Sequence, residues 1–338
     1  MNIQSKDLLK ISCSVSALLS IFAVFALSLV FSQSVYAEEF IPPRFLAQWG
    51  SQGSDSGEFE RPIGIAVDGD DFVYVSDTGN QRIQKFTAQG KFVLSWGKAG
   101  KEVGMLDRPM HLKITPDDKI YVAEFANDRI QIFDLEGKSL ALIGSSGKGA
   151  GEFDAPGGVG VDRQGRIYVA DFYNHRVQPF SANYSALPQI GKKGRIFGGN
   201  FDYPADVAIG PDDSLYVADS YNNRIQKFSP DGKFETKWGG FLGTGLKGDS
   251  SGSFNVATAI EVDALGQVFV ADFYNHRIQV FTDEGDFLVE FGSQGSAPGE
   301  FERPTDMTVD SKGNIYVVDF GNNRIQKFAP FTSQTKNE

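Results

Sequence analysis

Three histidines (His111, His175, His276) and one cysteine (Cys13) are all the imidazole and thiol chemistry in 338 residues. A single thiol forms no internal disulfide and no cysteine-ligated zinc centre. No Gly-x-Ser-x-Gly nucleophile elbow occurs either. What recurs instead is a carboxylate five residues before an arginine: Asp77/Arg82, Glu124/Arg129, Asp171/Arg176, Asp219/Arg224, Asp272/Arg277 and Asp319/Arg324. An active site is singular, whereas this pair occurs six times, so it reads as a structural bridge that fixes a turn. An asparagine three residues after each carboxylate suits the same turn. Between acid and arginine the side chains differ: Phe172, Tyr173 and His175; Ser220 and Tyr221; Phe273, Tyr274 and His276; with Phe125 and Phe320 elsewhere. Such a strip suits stacking on a sugar, a peptide or another planar ligand, and packing over a neighbouring unit is the competing reading.

The elements that must position these groups follow from the spacing. Successive acid-to-phenylalanine cores (Asp77 to Phe86 is the first) begin 47, 47, 48, 53 and 47 residues apart. An aromatic or leucine lies 18 residues before each acid and is followed by proline three places on, as in Phe59/Pro62, with Ala257 replacing proline once. Within the first unit Ile63–Val67, Phe72–Ser76, Arg82–Phe86 and Phe92–Trp96 alternate as short strands separated by tight turns. Four antiparallel strands in a unit of this length, repeated radially, predict an all-β, six-bladed β-propeller over residues 38–330. The last unit lacks a fourth strand, and Phe45–Trp49 resembles Phe92–Trp96, so the N-terminal strand is expected to complete that blade. Residues 331–338 read as a polar tail.

The Asp-x-x-Asn-x-Arg-Ile-Gln core with its upstream Phe-x-x-Pro resembles the NHL repeat. That resemblance implies a six-bladed propeller and leaves function open, because the family includes translational regulators, ubiquitin ligases, kinase sensor domains and a zinc lyase. The lyase branch would place histidines directly after the proline; here those positions are Ile63, Met110, Gly157, Ala205, Thr258 and Thr305. His111 lies one place later, where strand alternation sends it to the opposite side. With Asp206 and Asp306, its equivalents in blades four and six, it could form a mixed site for zinc or calcium at the channel mouth, and an isolated hydrogen-bonded histidine is the alternative. No cofactor is otherwise expected.

Antiparallel order puts the acid-to-arginine turns and the long inter-blade loops on one face. The tight turns of the other face carry 16 acidic against 7 basic residues, and the long loops 11 against 10. The loop face is therefore the expected working side, with a basic cluster at Lys192, Lys193 and Arg195 and the longest insertion at 239–253. Residues 1–37 combine Lys6 and Lys10, an apolar run and Val35-Tyr36-Ala37, which predicts export with either a cleaved signal or an uncleaved anchor. A net charge of -11 disfavours nucleic acid. The sequence thus predicts an exported, monomeric module that binds a protein, peptide or glycan through Phe172, Tyr173, His175, Tyr221, Phe273, Tyr274, His276 and the basic cluster. The alternative is a metal-assisted lyase or hydrolase at His111, Asp206 and Asp306.

Overall fold

The computed structural model describes residues 38–335, so the expected export segment at 1–37 lies outside the described residues. Among the described residues no helix is long and apolar enough to cross a membrane. Six antiparallel sheets follow one another along the chain. In each blade the strands run a, b, c, d outward from a central channel; in blade one they are Pro62–Val67, Val73–Asp77, Arg82–Phe86 and Phe92–Trp96. Strand b is buried along its whole length in every blade, as a strand covered on both faces must be. In blades one and six strand d alternates between half-buried and exposed, as an outer strand with one wet face does.

The ring closes as the sequence predicts. Phe45–Trp49 pairs with Arg324–Phe328, setting Phe45 opposite Phe328 and Trp49 opposite Ile325. Core clusters lie between blades; the one at the closure joins Ile65, Val75 and Phe86 of blade one to Tyr316, Val318 and Ile325 of blade six. Two departures are local. Blade three has only three strands, with isolated bridges Val177–Ile190 and Phe180–Ala186 where strand d belongs. Continuing the first bridge's register sets Pro179 opposite Pro188, and neither has an N–H to give the ladder. In the expected polar tail, Thr332–Thr335 pairs as a strand with Glu38–Ile41.

The six acid–arginine pairs are ion pairs, with Nε to carboxylate distances of 2.6–2.9 Å. They are not surface bridges of a solvated turn. Arg129, Arg176, Arg224, Arg277 and Arg324 are buried, as are their partners Glu124, Asp171, Asp219, Asp272 and Asp319, and Arg82 alone is half-buried. In blade four Asp219 takes Arg224 Nε (2.8 Å), Asn222 Nδ2 (2.8 Å) and Gln226 Nε2 (2.9 Å) on one oxygen and the Asp202 N–H (2.7 Å) on the other. Arg224 then donates to the carbonyls of Arg195, Phe197 and Asn200, and Asn222 to that of Gly194. Burial pushes the Asp219 carboxyl up to about 6 against the pull of Arg224.

The same reach in the other blades extends the bridge beyond its own turn. Arg129 donates to the carbonyls of Lys101, Glu102 and Met105, and Arg176 to those of Lys148, Gly149 and Glu152. Arg277 reaches the carbonyls of Ser250 and Ser253 and pairs a second time, with Glu290 (2.9 Å). Each pair thus ties the long loop entering the blade to the blade itself. Spacing inside one repeat does not reveal this, because the carbonyls lie 24 to 29 residues upstream of the arginine.

Much of the acidity of the opposite face is also structural. Asp68, Asp162, Asp263 and Asp310 each accept two backbone N–H groups of their own turn. Asp68 and Asp310 in addition accept the hydroxyls of Tyr74 and Tyr316 from strand b.

Arg224→Met leaves the Asp219 carboxylate buried without its counter-ion and is expected to cost about 3–5 kcal/mol. Arg82→Met should cost less, because the Arg82 side chain is 15% exposed whereas that of Arg224 is fully buried. Urea unfolding of the two variants measures both, and equal losses would contradict the dependence on burial.

Candidate functional site

The channel is built from the start of strand a. Each strand a follows a residue in the left-handed region (Arg61, Arg108, Ala155, Tyr203, Val256, Arg303; φ 50° to 67°). Its register against strand b then slips within the first residues, between Pro109 and Leu112 in blade two and between Pro204 and Asp206 in blade four. Such a bulge re-aims side chains. All six residues that directly follow the proline position, Ile63 through Thr305, line one cavity of about 420 Å³. His111 lines it too, beside Met110, which corrects the expectation from simple alternation that the two point to opposite sides.

The next position around the ring reads Gly64, His111, Gly158, Asp206, Ala259, Asp306. Large polar side chains come from blades two, four and six, and small residues from the blades between. A Cβ added at Gly64 would collide with the Met110 carbonyl, and one at Gly158 with the Asp206 carboxylate. The three polar groups therefore converge because their neighbours vacate the space. His111 Nδ1 lies 3.1 Å from Asp306 Oδ2 and 3.9 Å from Asp206 Oδ2, and all three side chains are buried. Asp306 Oδ2 also accepts the Ile65 N–H (2.9 Å), and Asp206 Oδ2 the Ile260 N–H (3.0 Å), so each carboxylate clips its blade to the next. Burial disfavours a charged His111, yet Asp206 and then Asp306 outweigh it and raise its pKa. Burial raises Asp206 as well, with His111 pulling the other way. His111 Nδ1 makes no hydrogen bond of good geometry. The donor atoms of the three residues lie within 4.8 Å of one another, a set that could hold one metal ion.

Over this floor the b-to-c turns raise an arc of rings. Phe125, Phe172, Tyr221, Phe273, Tyr274 and Phe320 line the cavity, while blade one contributes Thr78-Gly79 and no ring. Phe172 packs on Phe125 (6.1 Å between centroids) and on Tyr203 (5.0 Å), and Tyr203 on Tyr221 (4.9 Å). Phe273 meets Tyr274 (4.8 Å) and Phe320 (6.3 Å). Tyr221 and Tyr274 are each 52% exposed and Tyr173 48%. Of the expected ligand-binding residues, the structure brings Phe172, Tyr221, Phe273 and Tyr274 together with His111. Tyr173 stands beside them against Phe172 (5.1 Å) and is not part of the cavity wall.

The other two histidines do different work. Residues just before each repeated arginine (Gln81, Asp128, His175, Asn223, His276, Asn323) are left-handed. Each accepts the N–H of the left-handed residue that opens the next blade. His175 Nδ1 takes the Tyr203 N–H (3.1 Å) and His276 Nδ1 the Arg303 N–H (3.2 Å). An accepting Nδ1 carries no proton, and burial, helped by Lys193, lowers the His175 pKa accordingly. Lys192, Lys193 and Arg195 stand apart from the cavity. Lys193 lies 5.9 Å over the Tyr203 ring, and Arg195 pairs with Asp202 at 2.8 Å. Sequence reasoning missed Tyr203, which joins the rings of blades three and four. Its signal was present: it is the lone aromatic at the position before proline, where the other blades have Arg61, Arg108, Ala155, Val256 and Arg303.

The NHL repeat model matches residues 59–86, 153–180 and 201–228, and a family model described as a 6-bladed beta-propeller matches 253–336. No curated protein sequence matches the chain. Among solved structures, a Bacteroides thetaiotaomicron protein of unknown function is similar at TM-score 0.65 and 18% identity, over 85% of this chain and 76% of that one. A catalytically inactive virginiamycin B lyase from Staphylococcus aureus, solved with quinupristin, is similar at 0.56 and 18%, over 86% and 89%. A gluconolactonase from Xanthomonas campestris is similar at 0.59 and 17%, over 86% and 95%. At these identities the likeness is one of fold. With six repeats, six blades and the ring closed by its own N-terminal strand, the chain is a six-bladed β-propeller that carries NHL repeats.

Proposed function

We propose that the protein is a binding module whose ligand, a protein, peptide or glycan, inserts a planar or apolar group into the channel mouth. One observation carries this reading: a cavity of about 420 Å³ walled by rings from five blades, with a few polar groups at its floor. Recognition sites have this character, mostly apolar with sparse polar groups to fix orientation. Tyr221 and Tyr274 keep half their surface exposed, which a ligand ring can cover. Lys192, Lys193 and Arg195 lie outside the cavity and are not needed for this step.

A second reading rests on a different observation, the buried His111 Nδ1 that faces two carboxylates without a good hydrogen bond. One nitrogen and two carboxylate donors suit zinc, or calcium with more oxygens supplied from elsewhere. Such an ion would polarise a carbonyl at the cavity floor for a lyase or hydrolase reaction.

Ligand-observed NMR with tryptophan- and tyrosine-containing tripeptides and with monosaccharides tests the first reading. One class should bind, and Phe172→Ala with Tyr221→Ala should weaken it by about tenfold or more. Binding that these two substitutions leave unchanged, or no binding by any probe, would count against the cavity. Elemental analysis of the purified protein tests the second. Stoichiometric zinc or calcium that is lost in His111→Ala is expected from a metal site, and its absence from the wild type sinks the enzyme reading.

A further inference from the structure

The loops entering blades four and five flank the outer strand of blade four, Phe234–Trp238. Lys237 of that strand donates to the Ile196 carbonyl of one loop (3.0 Å), and Gly243 of the other packs against the Lys237 backbone. Five large apolar side chains on the two loops stand in solvent: Ile196 (78% exposed), Phe197 (72%), Phe241 (75%), Leu242 (82%) and Leu246 (67%). Neighbouring exposed side chains of this size mark an interaction surface.

The tips are held out by ordered backbone. Phe241–Gly243 forms a 3-10 turn in which Leu242 adopts φ 53°, a conformation leucine seldom takes. Gly243 N–H bonds to the Gly240 carbonyl, Gly245 to Gly239, and Thr244 Oγ1 to Phe241. Arg224 holds the partner loop through the carbonyls of Arg195 and Phe197. A loop built in this way to expose Phe241 and Leu242 has a use for them outside the ring.

Charge identifies the occupant. Residues 191–203 and 237–249 contain Lys192, Lys193, Arg195, Lys237 and Lys247 against Asp202 and Asp249, a net +3 in a chain of net -11. Asp202 is buried and pairs with Arg195, and setting that pair aside leaves the net at +3. The tight turns of the opposite face hold the acidity, 16 acidic against 7 basic residues. Apolar tips flanked by lysines, with the negative charge on the far side, match the interface of an anionic bilayer.

We propose that this rim of blade four docks on a membrane surface bearing anionic lipid headgroups. Ile196, Phe197, Phe241 and Leu242 enter the interface, and Lys192, Lys193 and Lys247 meet the phosphates. The channel mouth opens on the same face of the disc, but the proposal stands independently of what the channel binds.

Co-sedimentation with vesicles of phosphatidylcholine, alone or mixed with phosphatidylglycerol, tests it. The apolar run at 11–31 would partition into vesicles by itself, so the chain starting at Glu38 is used, which retains every strand of the ring. It should sediment with the mixed vesicles only, and less as salt is raised. Phe241→Ser with Leu242→Ser, and separately Lys192→Glu with Lys193→Glu, should each reduce the bound fraction by about tenfold with melting unchanged. Absence of binding to mixed vesicles, equal binding by the variants, or equal binding to neutral vesicles overturns the proposal. Capture of a protein through these residues without vesicle binding overturns it as well.

Discussion

A buried carboxylate shared among an arginine, an asparagine and a backbone N–H is what the structure rests on. It occurs in every blade, from Asp77 with Arg82 to Asp319 with Arg324. Burying an ion pair is costly unless its remaining hydrogen bonds are made, and here they are made almost to saturation. The guanidinium reaches carbonyls of the long inter-blade loop, whose own pairing is at most an isolated bridge such as Gln52–Phe59. The pair is therefore less a local staple than the means by which an irregular loop is given a fixed path. The rings over the channel stand on the turns that the same carboxylate fixes, and the exposed tip at Ile196 and Phe197 takes its position from the loop that Arg224 holds.

A second repeated contact turns six sheets into a ring. The left-handed residue before each arginine accepts a hydrogen bond from the left-handed residue that opens the next blade, and Asn323 to Arg61 completes the circuit. The role needs an acceptor side chain on a residue at positive φ, which asparagine, aspartate and histidine readily adopt and which Gln81 fills in blade one. His175 and His276 fill that position, so their imidazoles are explained by backbone geometry. The same reasoning separates them from His111, whose Nδ1 faces two carboxylates rather than an N–H donor.

The repeat, its strand order and its closure were legible because each depends on short-range patterning repeated six times. What escaped depends on local backbone irregularity or on contacts between distant parts of the chain. The acid–arginine spacing announced a bridge, but that Arg129, Arg176 and Arg277 also hold the incoming loop depends on carbonyls, which every residue carries and no sequence pattern marks. Alternation misplaced His111 because strand a bulges after its proline, and no residue type announces a bulge there. Blade three lost its fourth strand to Pro179 and Pro188, which are harmless singly and disruptive only when register sets them face to face. The convergence of His111, Asp206 and Asp306 could be suspected from their equivalent positions. That it is dense enough to bury all three depends on Gly64 and Gly158, whose meaning lies in what a larger side chain would strike. Tyr203 was visible as an exception to its column, and only the packing assigns it to the arc of rings.

In a repeat protein whatever is shared by all blades explains the ring, and whatever breaks the sixfold pattern needs another cause. The channel position beginning at Gly64 alternates small and large around the disc, lowering six to three, which blade packing alone does not require. Ala259 shows that a small apolar residue closes this position without a buried charge, so three polar side chains are more than the fold needs. Two of them do serve packing, because Asp206 and Asp306 each clip the neighbouring blade. His111 makes no such backbone clip: its ring faces the carboxylates of blades four and six, and it also lines the cavity. At the floor of the aromatic cavity, His111 is therefore the one of the three whose presence the packing of the ring does not explain.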